Sequence, residues 1–531
     1  MQVNDSNSSE HMFEFNLPNF PLSDTNDFFL GKPRSVKIRE KYELLKTNYV
    51  ALLGPSPDAQ KILRKMWKFE LALANLSMAE SAQRNVYQAY NFTTIAKFQK
   101  YVGNRIDYTR FARGLFKEFG VKVTSKMGIG VRSINYFKNL NDLIARTEEQ
   151  VVKDYVIWVC VWKFGPYVSG PYREAHYNFQ RTLMGVQERP KRWKSCIEDI
   201  EQTMDFGLTA LYVKKALTAR DKRVATQIVK NVTRQFKNNL VNVEWMDVST
   251  KAEAFAKVDS IADNIGYPDF VKNSTYLDRF YASVNIRPNK YFENVVTMYE
   301  EKRLKNVGLL RKRVDRSAFE LPPTLVEAYF DVNKNKMVFL AGILHAPFYA
   351  DTRPMALNYG ALGLVAGHEV THAFDDYGGQ YDGKGEKNNW WTVDSLKQFR
   401  KRSNCIRHQY GNYTIYGVNV NGVNTLGENI ADNGGIKVAY MAYKDWERTH
   451  GAEKLLPGIP LTMDQLFFVS HGQVWCGVYR PEYVKMNINT DYHSPSKFRI
   501  IGPLSNLKQF SDTFKCKPGT PMNPKKKCEV W

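Results

Sequence analysis

The sequence predicts a mainly α-helical α+β fold: a large helical region followed by a smaller region of helices and short strands that carries a candidate metal site. Three observations support this. From Asp58 to about Asp315, apolar residues recur three or four apart, the period of helices with one buried face. A short apolar run, KMVFLAGIL (Lys336–Leu344), ends at His345-Ala346-Pro347 and reads as a strand. Beyond it, two glycine-rich stretches set metal-competent side chains one helical turn apart.

A chain of 531 residues, 43% hydrophobic and 13% aromatic, can bury a large core and is long enough for two or more domains. The expected division is a polar, loosely ordered segment over 1–54, a helical region over 55–315 and a third region over 316–531. Pro55 and Pro57 mark a turn after the first segment. In Lys61–Ala82, residues Ile62, Met66, Phe69, Leu73 and Leu76 form one helix face. Ile197–Leu217 and Thr226–Met246 read likewise. No 20–50-residue period repeats, which excludes a solenoid. Leu321-Pro322-Pro323 punctuates the chain before the strand.

The net charge of +21, from 75 basic and 54 acidic residues, permits attraction to anionic polymers. No nucleic-acid-binding signature accompanies it, so it reads as a solubilising surface, and no nucleic-acid partner is expected. The densest basic run, Lys302–Arg316, spaces Leu304, Val307 and Leu310 as a surface helix. The longest apolar run, Tyr155–Trp162, is far short of the ~20 residues a spanning helix needs. The first residues lack the basic-then-apolar pattern of a signal peptide. Six scattered cysteines without C-x-x-C exclude a cysteine zinc site. Seven N-x-S/T sequons, at Asn4, Asn7, Asn75, Asn91, Asn231, Asn273 and Asn412, are compatible with secretion.

The chemistry concentrates in ALGLVAGHEVTHAFDDYGG (Ala361–Gly379). Its H-E-x-x-H pattern puts His368 and His372 on one helix face, where two imidazoles can grip one Zn²⁺. Glu369, about 100° around the helix, can reach an attacking water without being a ligand. Gly360, Gly363 and Gly367 leave one face bare for a close neighbour, and Gly378-Gly379 supply the expected stop. A catalytic zinc takes three protein ligands and keeps one position open. GENIADNGG (Gly427–Gly435) offers Glu428 as the third. Asp432, one turn on, can accept the free N–H of a ligand histidine, and Asp375 is a weaker candidate for that task. His345 and His471 read as structural, and Trp390-Trp391 as core.

These motifs resemble the neprilysin and endothelin-converting enzyme family of zinc endopeptidases. The resemblance is carried by HEVTHAFDD, GENIADNGG, Gln473–Tyr483, His493–Gly502 and the terminal KKCEVW, with Trp245–Asp247 and Gly266–Pro268. It implies a thermolysin-like zinc catalytic domain over 316–531 and a helical domain over 55–315 that covers the cleft. It also implies an N-terminally shortened member, its helical domain incomplete relative to the family. The implied activity is hydrolysis of oligopeptides on the amino side of large apolar residues, with one Zn²⁺ per chain and Glu369 as general base. His493 would hydrogen-bond the oxyanion, and Arg499 a substrate carbonyl. Ile343, Phe348, Leu364, Val365, Val474 and Trp475 would line the pocket for the apolar side chain. Cys405 would pair with Cys528, while Cys196, Cys476 and Cys516 would lack family partners, since no cysteine precedes Cys160. The implied location is extracellular or a plasma-membrane ectodomain, with membrane association only through a segment absent from this chain.

One position departs. Where the family has Asn-Ala-Phe/Tyr, this chain has Glu327-Ala328-Tyr329. Asparagine donates and accepts at once, whereas an ionised glutamate only accepts. The alternative reading is therefore a catalytically impaired zinc-binding relative. A third, a basic protein that binds anionic polymers, rests on charge alone.

Overall fold

The computed structural model describes residues 1–18, 20–22, 33–54, 57–76 and 85–531. Pro55 of the expected turn and Ser77–Ala82 of the expected helix lie outside them.

The N-terminal segment corrects the expectation of loose order. Strands β1 (Gln2–Asn4) and β2 (Asn7–Met12) form an antiparallel hairpin. Strand β3 (Glu14–Phe15) lies parallel to β5 (Gly128–Arg132), which pairs antiparallel with β4 (Tyr90–Thr94). Helix α1 (Pro33–Leu53) buries Ile38, Tyr42, Leu45 and Tyr49, spaced three or four apart along one face. The polar composition misled because one of its polar groups is buried in a pair. Lys46 Nζ lies 2.5 Å from Glu70 Oε2 on α2 (Ala59–Leu76), and both side chains are 1% exposed. Tyr42 donates to the other Glu70 oxygen at 2.8 Å. Helices α3 (Glu149–Val168) and α4 (Gly170–Met184) close this helical core. The basic run is helical only to Val307; from Gly308 it turns and its backbone pairs with the hairpin, Val314 N donating to Ser9 O at 2.8 Å.

The largest core crosses the expected boundary at residue 315. Helices α5 (Ala219–Val241) and α6 (Val248–Asp259) contribute Ala225, Ile228, Val232, Phe236, Leu240 and Val258 to the same cluster as the C-terminal region. A three-stranded sheet also spans it, in the order β6 (Ala262–Gly266), β8 (Lys336–Leu340), β7 (Ala328–Asp331). β6 runs parallel and β7 antiparallel to the central, fully buried β8. The expected strand thus forms over Lys336–Leu340, and Ala341–Ile343 turns into a short 3₁₀ segment.

The metal-site stretch forms α7 (Leu364–His372), and α8 (Val393–Gly411) and α9 (Leu426–His450) follow. After them come α10 (Met463–Val474) and α11 (Ser496–Asn506). The C-terminal tail is core rather than appendage. Trp531 packs against Phe236, Trp245, Phe374 and Trp391, and Trp245 Nε1 donates to Val530 O at 3.0 Å. Cys405 on α8 is disulfide-bonded to Cys528, with Cα atoms 5.5 Å apart. Cys160, Cys196, Cys476 and Cys516 carry free thiols. Asn231 is no open sequon, because its amide donates to Tyr359 OH and Ala442 O.

The disulfide closes a loop of 123 residues. By loop-closure entropy alone, losing it costs about 5 kcal/mol. Cys528→Ser should lower the thermal midpoint clearly, and peptide mapping without reductant should find Cys405 joined to Cys528.

Candidate metal centre and substrate cleft

Two helices build the site, and glycine lets them meet. A Cβ on Gly367 would lie 2.4 Å from Gly435 O, and one on Gly435 2.6 Å from His368 N. Only hydrogen at both positions permits backbone contact between α7 and α9. Gly360 packs equally close to Phe467 O at the head of α10, whereas Gly363 faces Tyr359 of its own helical stretch. The bare face of the sequence pattern is thus used at two of its three glycines. The helix stops earlier than Gly378-Gly379, at His372. Gly378 instead folds back over the helix end, where a Cβ would lie 1.9 Å from His372 O.

This contact brings His368, His372 and Glu428 together. Nε2 of His368 and Nε2 of His372 are 2.9 Å apart, and Glu428 Oε2 lies 3.1 and 3.3 Å from them. Behind each imidazole stands a carboxylate: Asp432 Oδ1 is 2.8 Å from His368 Nδ1, and Asp375 Oδ2 is 2.8 Å from His372 Nδ1. Each carboxylate is placed to accept a hydrogen bond from Nδ1–H, which leaves the Nε2 lone pair turned toward the common point. Asp375, the weaker candidate by sequence, therefore stands in the same relation to its histidine as Asp432 does.

The donor set fits zinc. A tetrahedral site with bonds of about 2.0–2.1 Å spaces its donors about 3.3 Å apart, close to the separations here. Glu428 Oε2 is buried and receives no hydrogen bond, an orphaned acceptor of the kind a cation satisfies. His368, His372 and Glu428 would hold the ion.

Around this point the predicted residues separate into those the cleft gathers and one it does not. The cleft, about 740 Å³, is lined by Glu327, Ala328, Ile343, Phe348, Leu364, Val365, Glu369, Trp475, His493 and Arg499 together with the cluster. Val474 is not among them. It is the last residue of α10, and the chain turns there so that Trp475, one position on, faces the cleft instead.

Glu369 is 4% exposed, and burial pushes its carboxyl up against the opposing charges of His368 and His372. His493 Nε2 is 3.2 Å from Glu428 Oε2 and its Nδ1 2.8 Å from Asp491. Burial opposes protonation of His493, but Glu428 and then Asp491 outweigh it and push the pKa up to about 9. Arg499 spends Nε and one Nη on Asp432, both at 2.8 Å. Its guanidinium stacks 3.9 Å from the centre of the Trp475 ring. Burial would raise the Asp432 carboxyl, yet Arg499 and His368 hold it well below the usual carboxylate range. The structure thus commits most of Arg499's fork to Asp432 before any substrate arrives. His471 is buried behind them, its pKa pulled down to about 4 by burial, which agrees with a structural role.

Sequence reasoning missed Asp491, Tyr377, Tyr492 and Arg132. Asp491 had a local signal, being two residues before His493 in the same turn. Arg132, on β5, reaches the cleft from far away in sequence, and nothing beside it marks it.

A pair of histidines and a carboxylate, each histidine backed by an acid, with a buried glutamate one residue past the first histidine, is the arrangement of metallopeptidases. Sequence comparison narrows the class: residues 1–268 and 327–530 match two profiles, each described as peptidase family M13. The chain belongs to that family and is a metalloendopeptidase. It is 36% identical to endothelin-converting enzyme 1 of Bos taurus over 542 residues, covering all of this chain and 70% of the relative. It is 37% identical to neprilysin-3 of Drosophila melanogaster over 535 residues, covering 99% and 68%. Among solved structures, the Mycobacterium tuberculosis zinc metalloprotease ZMP1 in complex with inhibitor superposes with a TM-score of 0.91 at 25% identity, covering all of this chain and 80% of that one. The open state of ZMP1 gives 0.67.

Asp432→Asn should weaken zinc binding about 10- to 100-fold. Competition with a calibrated chelator measures this without reference to activity.

Proposed function

We propose that this chain hydrolyses oligopeptides on the amino side of large apolar residues. The observation that supports this most is the position of Glu369: buried beside the two-histidine, one-carboxylate cluster and facing a cleft with an apolar wall. Ile343, Phe348, Leu364, Val365 and Trp475 supply that wall, a surface suited to one large apolar side chain. Among the described residues β7 pairs with β8 alone, and its residues Ala328, Tyr329 and Phe330 line the cleft. An extended peptide laid there would add to the sheet as a further strand.

When bound, zinc supplies the Lewis acidity that polarises the scissile carbonyl and acidifies water. The chain's own groups do the rest. Glu369 takes the proton of the attacking water and passes it to the leaving amine. His493, held by Asp491, donates from Nε2 toward the developing oxyanion. Arg499, anchored on Asp432 and flat against Trp475, offers its remaining Nη to a substrate carbonyl. The Cys405–Cys528 bond suits an oxidising compartment, which supports an extracellular location. No helix among the described residues is long and apolar enough to cross a membrane.

A quenched fluorescent peptide with one large apolar residue tests the reading. Cleavage should be abolished by chelator and fall about 10²- to 10⁴-fold in Glu369→Gln, while that variant keeps its zinc. Cleavage that survives both would overturn the assignment.

Glu327 modifies the cleft. Its Oε1 accepts the N–H of Ala328 at 3.1 Å, so the side chain occupies a donor on the strand that would receive substrate, and it brings none of its own. A substrate polar group left unpaired costs about 1–3 kcal/mol, roughly 10- to 100-fold in kcat/KM. Glu327→Asn should therefore raise kcat/KM on neutral and acidic peptides with zinc content unchanged. Peptides bearing Lys or Arg, which can pair with the carboxylate, should gain less.

A further inference from the structure

Lys257 lies on α6, more than sixty residues before the first cleft residue of the C-terminal region, and is 2% exposed. Its Nζ donates to three backbone carbonyls: Ala373 at 2.6 Å, Gly378 at 2.8 Å and Tyr381 at 2.6 Å. Three acceptors match the three protons of an ammonium. Phe374 and Trp390 flank it, their ring centres 5.4 and 5.6 Å away. A cation this deep is costly unless it is fully bonded. Burial pulls its pKa down to about 7, opposed by the charges of Asp375 and Asp382. A lysine held at such cost by backbone, with no carboxylate directly on it, points to the segment it grips.

That segment is the turn Ala373–Tyr381, which leaves α7 directly after His372. Lys257 takes the carbonyl of Ala373 at the helix C-terminus, where the helix dipole favours a cation. It takes Gly378 O as well, and Asp375 Oδ1 accepts Gly378 N at 2.7 Å and Tyr377 N at 2.7 Å. The same peptide turn is therefore held from one side by Lys257 and from the other by Asp375. The second oxygen of Asp375 bonds His372 Nδ1 at 2.8 Å. Trp390 and Trp391 add indole bonds to Tyr381 O at 3.0 Å and Gly379 O at 2.7 Å. The chain of contacts from Lys257 to the His372 ring has three hydrogen bonds, through Gly378 and then Asp375.

We propose that Lys257 is a positioning residue for the metal centre: it fixes the Ala373–Tyr381 turn so that Asp375 holds His372 with Nε2 toward His368 and Glu428. This rests on the reading of His368, His372 and Glu428 as zinc ligands. Without the ammonium, each of the three carbonyls loses a hydrogen bond; Gly378 O keeps only Tyr381 N and Tyr381 O keeps Trp390 Nε1, and the turn relaxes around Ala373 O. Asp375 moves with it, and His372 gains rotational freedom.

The test compares the full chain with Lys257→Met, Lys257→Arg, Asp375→Asn and the double variant Lys257→Met/Asp375→Asn. Zinc affinity is read by chelator competition, ligand geometry by the visible absorption of the cobalt(II)-substituted protein, and fold by thermal unfolding of the metal-free form. Lys257→Met should bind zinc about tenfold or more weakly, within the range for groups behind a ligand, with an altered cobalt spectrum. Asp375→Asn should do the same, and the double variant should bind no more weakly than Asp375→Asn alone. Lys257→Arg keeps donors in a longer, planar group, so it should fold and still show weakened zinc binding. That variant decides the matter if Lys257→Met does not fold. Unchanged zinc affinity and cobalt spectrum in a folded Lys257 variant would overturn the proposal, leaving the lysine a purely structural tie. Fully additive losses in the double variant would overturn the route through Asp375. If the unaltered chain bound no zinc, the ligand assignment itself would fail, a result distinct from either.

Discussion

The backbone contact between α7 and α9 is the constraint on which the site depends. Gly367 and Gly435 bring the two helices closer than any side chain would allow. His368 is the next residue after Gly367, and Glu428 and Asp432 lie two turns and one turn before Gly435. A methyl group at either glycine would have to push the helices apart. The donor atoms of His368 and Glu428, now 3.1 Å apart, would separate with them. The glycines cost helix propensity, and what offsets that cost is the rest of the main core packed around the pair.

The second requirement is electrical. Histidines, carboxylates and an arginine share one buried cluster, and several of the charges there are directly paired. Asp432 bonds both His368 and Arg499; Asp375 bonds His372; Asp491 bonds His493. Glu428 Oε2, a buried acceptor without a hydrogen bond, is at the focus of the cluster. In low dielectric an unpaired buried charge is expensive, so the vacancy in hydrogen bonding and the convergence of donor atoms point to the same cation. The support extends outward through Lys257, which holds the turn carrying Asp375.

The helical region before the site does more than surround it. α5 and α6 share the largest core with α7 and α9, and β6 supplies one edge of the sheet whose other edge, β7, borders the cleft. The N-terminal hairpin reaches the same neighbourhood: Asp5 accepts from Asn333 at 2.7 Å, and Lys387 N donates to Asp5 O at 2.7 Å. The disulfide and Trp531 tie the last residues into that core. The walls of the cleft are therefore braced by distant parts of the chain.

The sequence by itself determined the periodic elements and the faces that carry the candidate ligands, because both depend on short spacings. Two histidines four apart and two acids four apart define helix faces whatever the rest of the chain does. The helical character of the first half and the strand at Lys336–Leu340 were accessible on that footing; the Cys405–Cys528 pairing, 123 residues apart, came from the family resemblance instead. Tertiary structure alone decided what depends on distant segments meeting. It placed Arg132 at the cleft, Lys257 behind Asp375 and Trp475 rather than Val474 in the pocket wall. It also made Pro33–Leu53 a helix with one face in a core, where Lys46 pairs with Glu70 from another helix. A side chain's local spacing fixes only the face it shares; whether that face meets solvent, a cation or a partner charge is set by packing between segments that the linear order does not relate.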